Sequence, residues 1–112
     1  MDNCIFCKIA NKEVNSDIIY ENESVAAFAD IHPKAQVHFL IIPKKHIISV
    51  DEVGSEDKEL MGDLILAAQK IARQKGLKGY KLRISVGREG GQEIDHLHMH
   101  LLSGKMVDAD SI

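Results

Sequence analysis

The chain is short of cysteine, proline and aromatic rings. Its 112 residues include two cysteines, two prolines, two tyrosines, three phenylalanines and no tryptophan. The two cysteines, Cys4 and Cys7, lie too close together to build the disulfide framework of a small secreted domain, so thiols or metal ligands in a reducing compartment are expected. No apolar run approaches the ~18 residues of a membrane span. Met1–Lys8 also lacks the basic stretch and apolar core of a targeting segment. A soluble, cytoplasmic chain without a membrane partner is the expectation. A dominant charge is missing as well: 14 basic against 17 acidic residues give a net charge of −3, which disfavours nucleic acid as a partner and leaves room for a small charged ligand. There is no internal repeat and no Pro/Gly/Ser linker, so residues 1–112 read as one domain of ordinary globular composition, 45% apolar and 28% charged.

What the chain does have is histidine in an unusual arrangement. Three of its six histidines, His96, His98 and His100, alternate with Leu97, Met99 and Leu101. On a β-strand this places the imidazoles on one face and the apolar side chains on the other. The run follows a glycine-containing stretch, Gly87–Gln92. Three uses are open to such a group: polar core residues that satisfy one another, metal ligands of the His-x-His kind, or a nucleophilic site. Cys4-x-x-Cys7 has the spacing of half a tetrahedral zinc site, which His46 and His96 are available to complete; the alternative is two unconnected buried thiols. A thioredoxin-like role fits poorly, because the pair precedes the first strand.

Ile18–Tyr20, Val25–Ala29 and Val37–Ile42 read as consecutive antiparallel strands. Ser55–Lys75 carries a helical stripe of Leu60, Met61, Leu64, Ile65, Ala68, Ile71 and Ala72, with Ser55 as N-cap, Gly76 as stop, and Ala67, Gln69 and Lys70 on other, exposed faces. Tyr80–Gly87 is a further strand, Arg88–Gln92 a loop, and Ile94–Leu102 the histidine strand, while Ile5–Ala10 forms a short N-terminal helix. The order predicts an α+β fold, a mainly antiparallel five-stranded sheet with one long helix on one face. Its edge strands favour completion by dimerisation.

His96-Leu97-His98-Met99-His100-Leu101-Leu102 resembles the motif that names the histidine triad (HIT) family. Cys4–Ile9, Phe28–Ala35, His38–Ile47 and Gly90–Glu93 are similar, in order and spacing, to its Hint branch, and the likeness runs from Cys4 to Gly104. The resemblance implies a HIT-like fold, a homodimer whose sheets join, and hydrolysis of purine nucleoside phosphoramidates to a nucleoside monophosphate and an amine. It also implies roles. His98 would be the nucleophile, His100 its partner at the phosphate, and His38 the distal member of the relay. A network near the unperturbed histidine pKa of ~6.5 would suit protonation of the leaving amine. Gly91, Gln92 and Glu93 would cradle the phosphate through backbone N–H groups, Asp30 would hold the ribose hydroxyls, and Ile5, Phe6, Ile9, Phe28 and Ile31 would enclose the base. In some bacterial members and in galactose-1-phosphate uridylyltransferases a Cys-x-x-Cys pair and two histidines bind zinc; these map to Cys4, Cys7, His46 and His96, a closed and therefore structural site. The other readings are a dinucleoside polyphosphate hydrolase, as in the fragile histidine triad branch, and a non-enzymatic nucleotide-binding interaction module.

Some positions depart from the pattern. Ser85 stands where asparagine is usual, and could still donate to phosphate or ribose with shorter reach. Ser103-Gly104 replaces a glycine pair, and His32 replaces serine or asparagine. The tail Lys105–Ile112 has no aromatic residue or proline where animal relatives select substrates.

Overall fold

A computed structural model describes residues 3–106; the expectation about the tail falls largely on 107–112, which lie outside the described residues. Five strands, β1 (Ile18–Glu21), β2 (Val25–Ala29), β3 (Ala35–Pro43), β4 (Lys81–Ile84) and β5 (Met99–Met106), form one sheet in the order β1-β2-β3-β5-β4, every neighbour antiparallel. Helix α1 spans Ile5–Ala10 and helix α2 spans Lys58–Gln74.

The sheet has a core on each face, which is why Val25, Ala26, Ala27 and Phe28 of β2 are all buried instead of alternating. Val25, Ala27, Ile41, Leu97, Met99 and Leu101 meet Leu64, Ala68 and Ile71 of α2. Ala26, Phe28, Leu40 and Ile42 meet Phe6, Ile9 and Ala10 of α1 on the opposite face. Because α1 has only six residues, it covers the β2–β3 end of that face and leaves the β5–β4 end open. The candidate site occupies the open part. In the larger core, truncating a fully buried side chain such as Ile71 to alanine costs about 2–5 kcal/mol.

Several boundaries differ from the sequence reading. The long helix begins at Lys58 after a 3₁₀ turn, Ser55–Asp57, and Ser55 is not its cap. Instead the buried Asp57 carboxylate accepts from Gly54 N–H at 3.0 Å and pairs with Lys45 Nζ at 2.6 Å, an ion pair that holds the Asp57 carboxyl below its ordinary range. The helix ends as expected: Gly76 is left-handed at φ 67°, Leu77 N–H donates to Ala72 O, and Gly76 N–H donates to Arg73 O. Its buried stripe is rotated from the expected one. Ala67 is buried and Ile65 is 50% exposed, because small Ala67 and Ala68 together let the helix lie close to the sheet.

The histidine strand also begins later than Ile94, at Met99. Upstream, Leu97 N–H donates at 2.7 Å to Ile47 O, a residue outside the sheet, so no ladder forms there. The alternation nevertheless persists, with Leu97, Met99 and Leu101 in the α2 core and the rings of His96 and His98 packed against Phe6 on the α1 side. Strand β4 stops at Ile84 rather than Gly87, whereas β1 and β3 run slightly longer than predicted.

Candidate active site and metal site

On the open half of the α1 face lies a cavity of about 530 Å³. Its apolar end is formed by Ile5, Phe6, Ile9, Val14 and Phe28, a slot that suits a flat ring, with Ile31 exposed at the rim. The polar end holds Asp30, Lys34, His38, Arg83, His98 and His100, with Gly91 and Glu93 along one side. The antiparallel register explains how it is assembled: His100 on β5 faces Leu40 on β3 and Arg83 on β4, and His38 sits two residues before Leu40 on the same face.

The hydrogen bonds fix the proton on each ring. Lys34 N–H donates to His38 Nδ1 at 3.0 Å, so the His38 proton is on Nε2. That Nε2–H donates to His100 Nδ1 at 2.8 Å, with Asp30 Oδ2 at 3.5 Å, and His100 therefore carries its own proton on Nε2. His98 uses Nδ1–H to donate to the His96 carbonyl at 2.7 Å, which leaves an Nε2 lone pair on the ring edge that lines the cavity. Burial pushes the pKa of His38 and His98 below the ordinary histidine value, and pushes His100 down to about 3 with help from Arg83 and the two neighbouring histidines. At neutral pH the rings are neutral. The expectation of a network titrating near 6.5 is thus corrected by desolvation and by the Arg83 guanidinium.

Asp30 is held by its own turn, Oδ1 accepting from His32 N–H at 2.8 Å, which leaves further lone pairs toward the cavity. Asp30, His38 and His100 also lie close enough to share a cation. The His38 tautomer opposes that use, because its Nε2 carries a proton as long as Lys34 N–H occupies Nδ1.

His96 is the mirror of His98. Its Nε2–H donates to Pro43 O at 2.8 Å, so the free lone pair is on Nδ1. Around that atom stand Cys4 Sγ at 3.3 Å, Cys7 Sγ at 3.5 Å and His46 Nδ1 at 3.2 Å, and Cys7 Sγ is 3.2 Å from His46 Nδ1. Bonds of 2.0–2.3 Å to a tetrahedral zinc imply ligand–ligand edges of roughly 3.3–3.8 Å, and the cluster fits that size. The donor set is right for zinc, two sulfurs and two imidazole nitrogens with no fifth position. Cys4 Sγ accepts from Cys7 N–H at 3.4 Å, so the chelating pair also caps α1. Burial and the neighbouring Cys4 push the Cys7 thiol up to about 11, a penalty that a bound cation removes. The four residues could hold a metal ion.

Not every expected residue lines the cavity. Gln92 lies behind the wall, 2% exposed: its Oε1 accepts from Gly87 N–H, and its Nε2 donates to Ile48 O and Ile94 O. The amides of Gly91 and Gln92 donate within the loop, to Arg88 O and Gly87 O. Ser85 sits beneath Gly91 and outside the lining, whereas Arg83, two residues earlier, is in it. Arg83 and Lys34 were missed by sequence reasoning. The only signal for Arg83 was its alternation with Ser85 on a strand, and its register against His100 is set by tertiary pairing.

The chain matches, over residues 3–109, the family described as scavenger mRNA decapping enzyme C-term binding. It is 45% identical to Protein HitA of Neisseria gonorrhoeae, over 91% of this chain and 96% of that protein. It is 47% identical to the purine nucleoside phosphoramidase of Escherichia coli K12, over 90% of this chain and 87% of the relative. The crystal structure of a HIT family hydrolase from Legionella pneumophila Philadelphia 1 superposes with a TM-score of 0.90 at 43% identity, covering 96% of this chain and 97% of that one. With its histidines in this geometry and such likeness along nearly its whole length, the chain belongs to the histidine triad family.

Proposed function

We propose that the protein is a hydrolase that cleaves the P–N bond of purine nucleoside phosphoramidates through a nucleotidyl-histidine intermediate. The observation that carries this reading is the His98 tautomer: a neutral imidazole with Nδ1–H tied to a carbonyl and its Nε2 lone pair on a cavity large enough for a nucleotide. The E. coli relative at 47% identity, a purine nucleoside phosphoramidase by name, supports the substrate class.

In this mechanism the base enters the apolar slot between Phe6, Ile9 and Phe28, Asp30 accepts from the ribose hydroxyls, and Lys34 and Arg83 supply positive field for the phosphate. His98 Nε2 attacks the α-phosphorus, an N–P bond forms, and the substrate P–N bond breaks. The amine departs with that electron pair and takes up a proton from water at the cavity mouth. His100, its Nδ1 already engaged by His38, donates Nε2–H to a phosphoryl oxygen as charge develops. Water then attacks phosphorus and releases a proton, which neutralises the hydroxide left when the amine was protonated, and the electron pair of the His98–phosphorus bond returns to Nε2. Splitting the displacement in two is what a covalent histidine contributes. Gln92 acts indirectly, bracing the loop that carries Gly91 and Glu93.

Cys4, Cys7, His46 and His96 would hold a zinc ion that is structural, pinning α1 to the sheet. Residues 1–112 act as one domain, and two copies pair through their sheets. Support for pairing comes from β4, which among the described residues has a strand neighbour only in β5, and from exposed Tyr80 beside it. No helix among the described residues is long and apolar enough to cross a membrane. A cytoplasmic setting is supported by Cys4 and Cys7, which form no disulfide. The deciding experiment is a turnover panel of adenosine and guanosine phosphoramidates with varied amines, alongside a diadenosine polyphosphate. Turnover of phosphoramidates that vanishes in His98→Ala is expected. Faster cleavage of the polyphosphate, or nucleotide binding without turnover, would overturn the assignment.

A further inference from the structure

The two halves of the histidine run are physically joined, and the joint has two parts. Phe6 lies between Cys4 and Cys7 in the chain, so the turn closed by the two sulfurs carries the ring that walls the cavity. That ring is 6% exposed and meets Phe28 at 5.4 Å, His96 at 5.9 Å and His98 at 5.1 Å, edge on in each case. The second part is the backbone of His96, whose ring offers Nδ1 to the cluster while its carbonyl accepts from His98 Nδ1–H at 2.7 Å. Helix α1 has six residues, far fewer than the ~12–15 at which a helix becomes even marginally stable alone, so its order depends on what holds its ends.

We propose that metal at Cys4, Cys7, His46 and His96 and nucleotide in the cavity bind with positive linkage, transmitted by Phe6 and by the His96 carbonyl. The inference rests on the two sites proposed above and adds a coupling that neither implies. Ligands that order the same segment share the cost of ordering it, so the first to bind leaves less for the second. Linkage is reciprocal: the factor by which metal tightens nucleotide must equal the factor by which nucleotide tightens metal.

The test is a thermodynamic cycle on the full chain, with AMP as the unreactive probe and zinc as the metal. AMP affinity is measured by calorimetry on zinc-loaded and zinc-free protein, and zinc affinity by competition with a chelating dye, with and without saturating AMP. About a tenfold tightening in each direction is expected. His46→Ala removes a ligand without touching the cavity lining, and should bind AMP as weakly as the zinc-free wild type. Phe6→Leu should retain zinc to within about twofold while the linkage factor falls toward one. If zinc removal melts the fold by circular dichroism, the zinc-affinity arm on folded, loaded protein decides alone. Tight binding of both ligands with unchanged affinities overturns the linkage and leaves both sites standing. Failure to bind zinc at all, or AMP at all, overturns the linkage together with the site concerned.

Discussion

His96 and His98 are two residues apart, both buried, both neutral for the same reason, and both packed on the edge of Phe6. They differ in which nitrogen meets a backbone carbonyl. Pro43 O accepts from Nε2–H of His96 and leaves Nδ1 among three further metal-type donors; His96 O accepts from Nδ1–H of His98 and leaves Nε2 at the cavity. The same side chain in nearly the same environment is thereby given opposite chemical faces. In a histidine cluster the tautomer-setting carbonyls deserve to be read before distances to other imidazoles, because they decide which atoms are donors and which are bases.

Replacing each of the pair in turn tests that division most severely. His98→Ala should lower phosphoramidate turnover by at least ~10³-fold with zinc content unchanged. His96→Ala should abolish zinc retention, read by elemental analysis, and lower the melting temperature by about 10 °C or more. If His98→Ala lost the metal as well, the two roles would not be separable. The next effect is at the relay: His38→Ala strands His100 without its partner, and turnover should fall about 10²-fold, mainly in kcat, again with zinc retained. A smaller change is expected behind the cavity. Gln92→Ala removes three hydrogen bonds from the loop carrying Gly91, and should lower kcat/KM about tenfold through KM, measured by initial rates across substrate concentration. The mildest test is pH. His38 and His100 have folded pKa values below the ~6.5 of an unfolded histidine, so the unfolded chain binds more protons in the window between. Stability is full above pH ~6.5 and declines as pH falls through that window toward about 3 for His100. Urea midpoints measured from pH 7 downward should show this decline, and a His100→Asn variant should show less of it.

Much of the architecture could be read from periodicity. The change from short runs bounded by turn residues, such as Val25–Ala29, to a helical period after Ser55, and the Gly76 stop, are local signals, and the sheet and long helix follow them. So did the shared face of the three histidines, since alternation survives where ladder bonds do not. What could not be read depends on residues distant in sequence. Ile65 and Ala67 are both compatible with an apolar stripe, and only close packing on the sheet chooses Ala67. Arg83 enters the cavity because β4 pairs with β5 in a register that sets it opposite His100. The resemblance implied a backbone N–H of Gln92 at the phosphate, whereas here that N–H donates to Gly87 O and the side chain turns inward to the Ile48 and Ile94 carbonyls. The four metal-type donors were legible as residue types; that they converge within hydrogen-bond distances could only come from the fold.

The sheet separates a large core under α2 from a small one under α1, and only the small one borders the cavity. Sequence drift therefore has different consequences on its two sides. On the function proposed above, substitutions under α2 would alter how long the chain survives, whereas substitutions at Ile5, Ile9, Val14 or Phe28, which line the cavity, would alter what it accepts. A lineage can exchange one nucleotide-bearing substrate for another by repainting one short helix and its facing residues, while the larger half continues as an unchanged chassis.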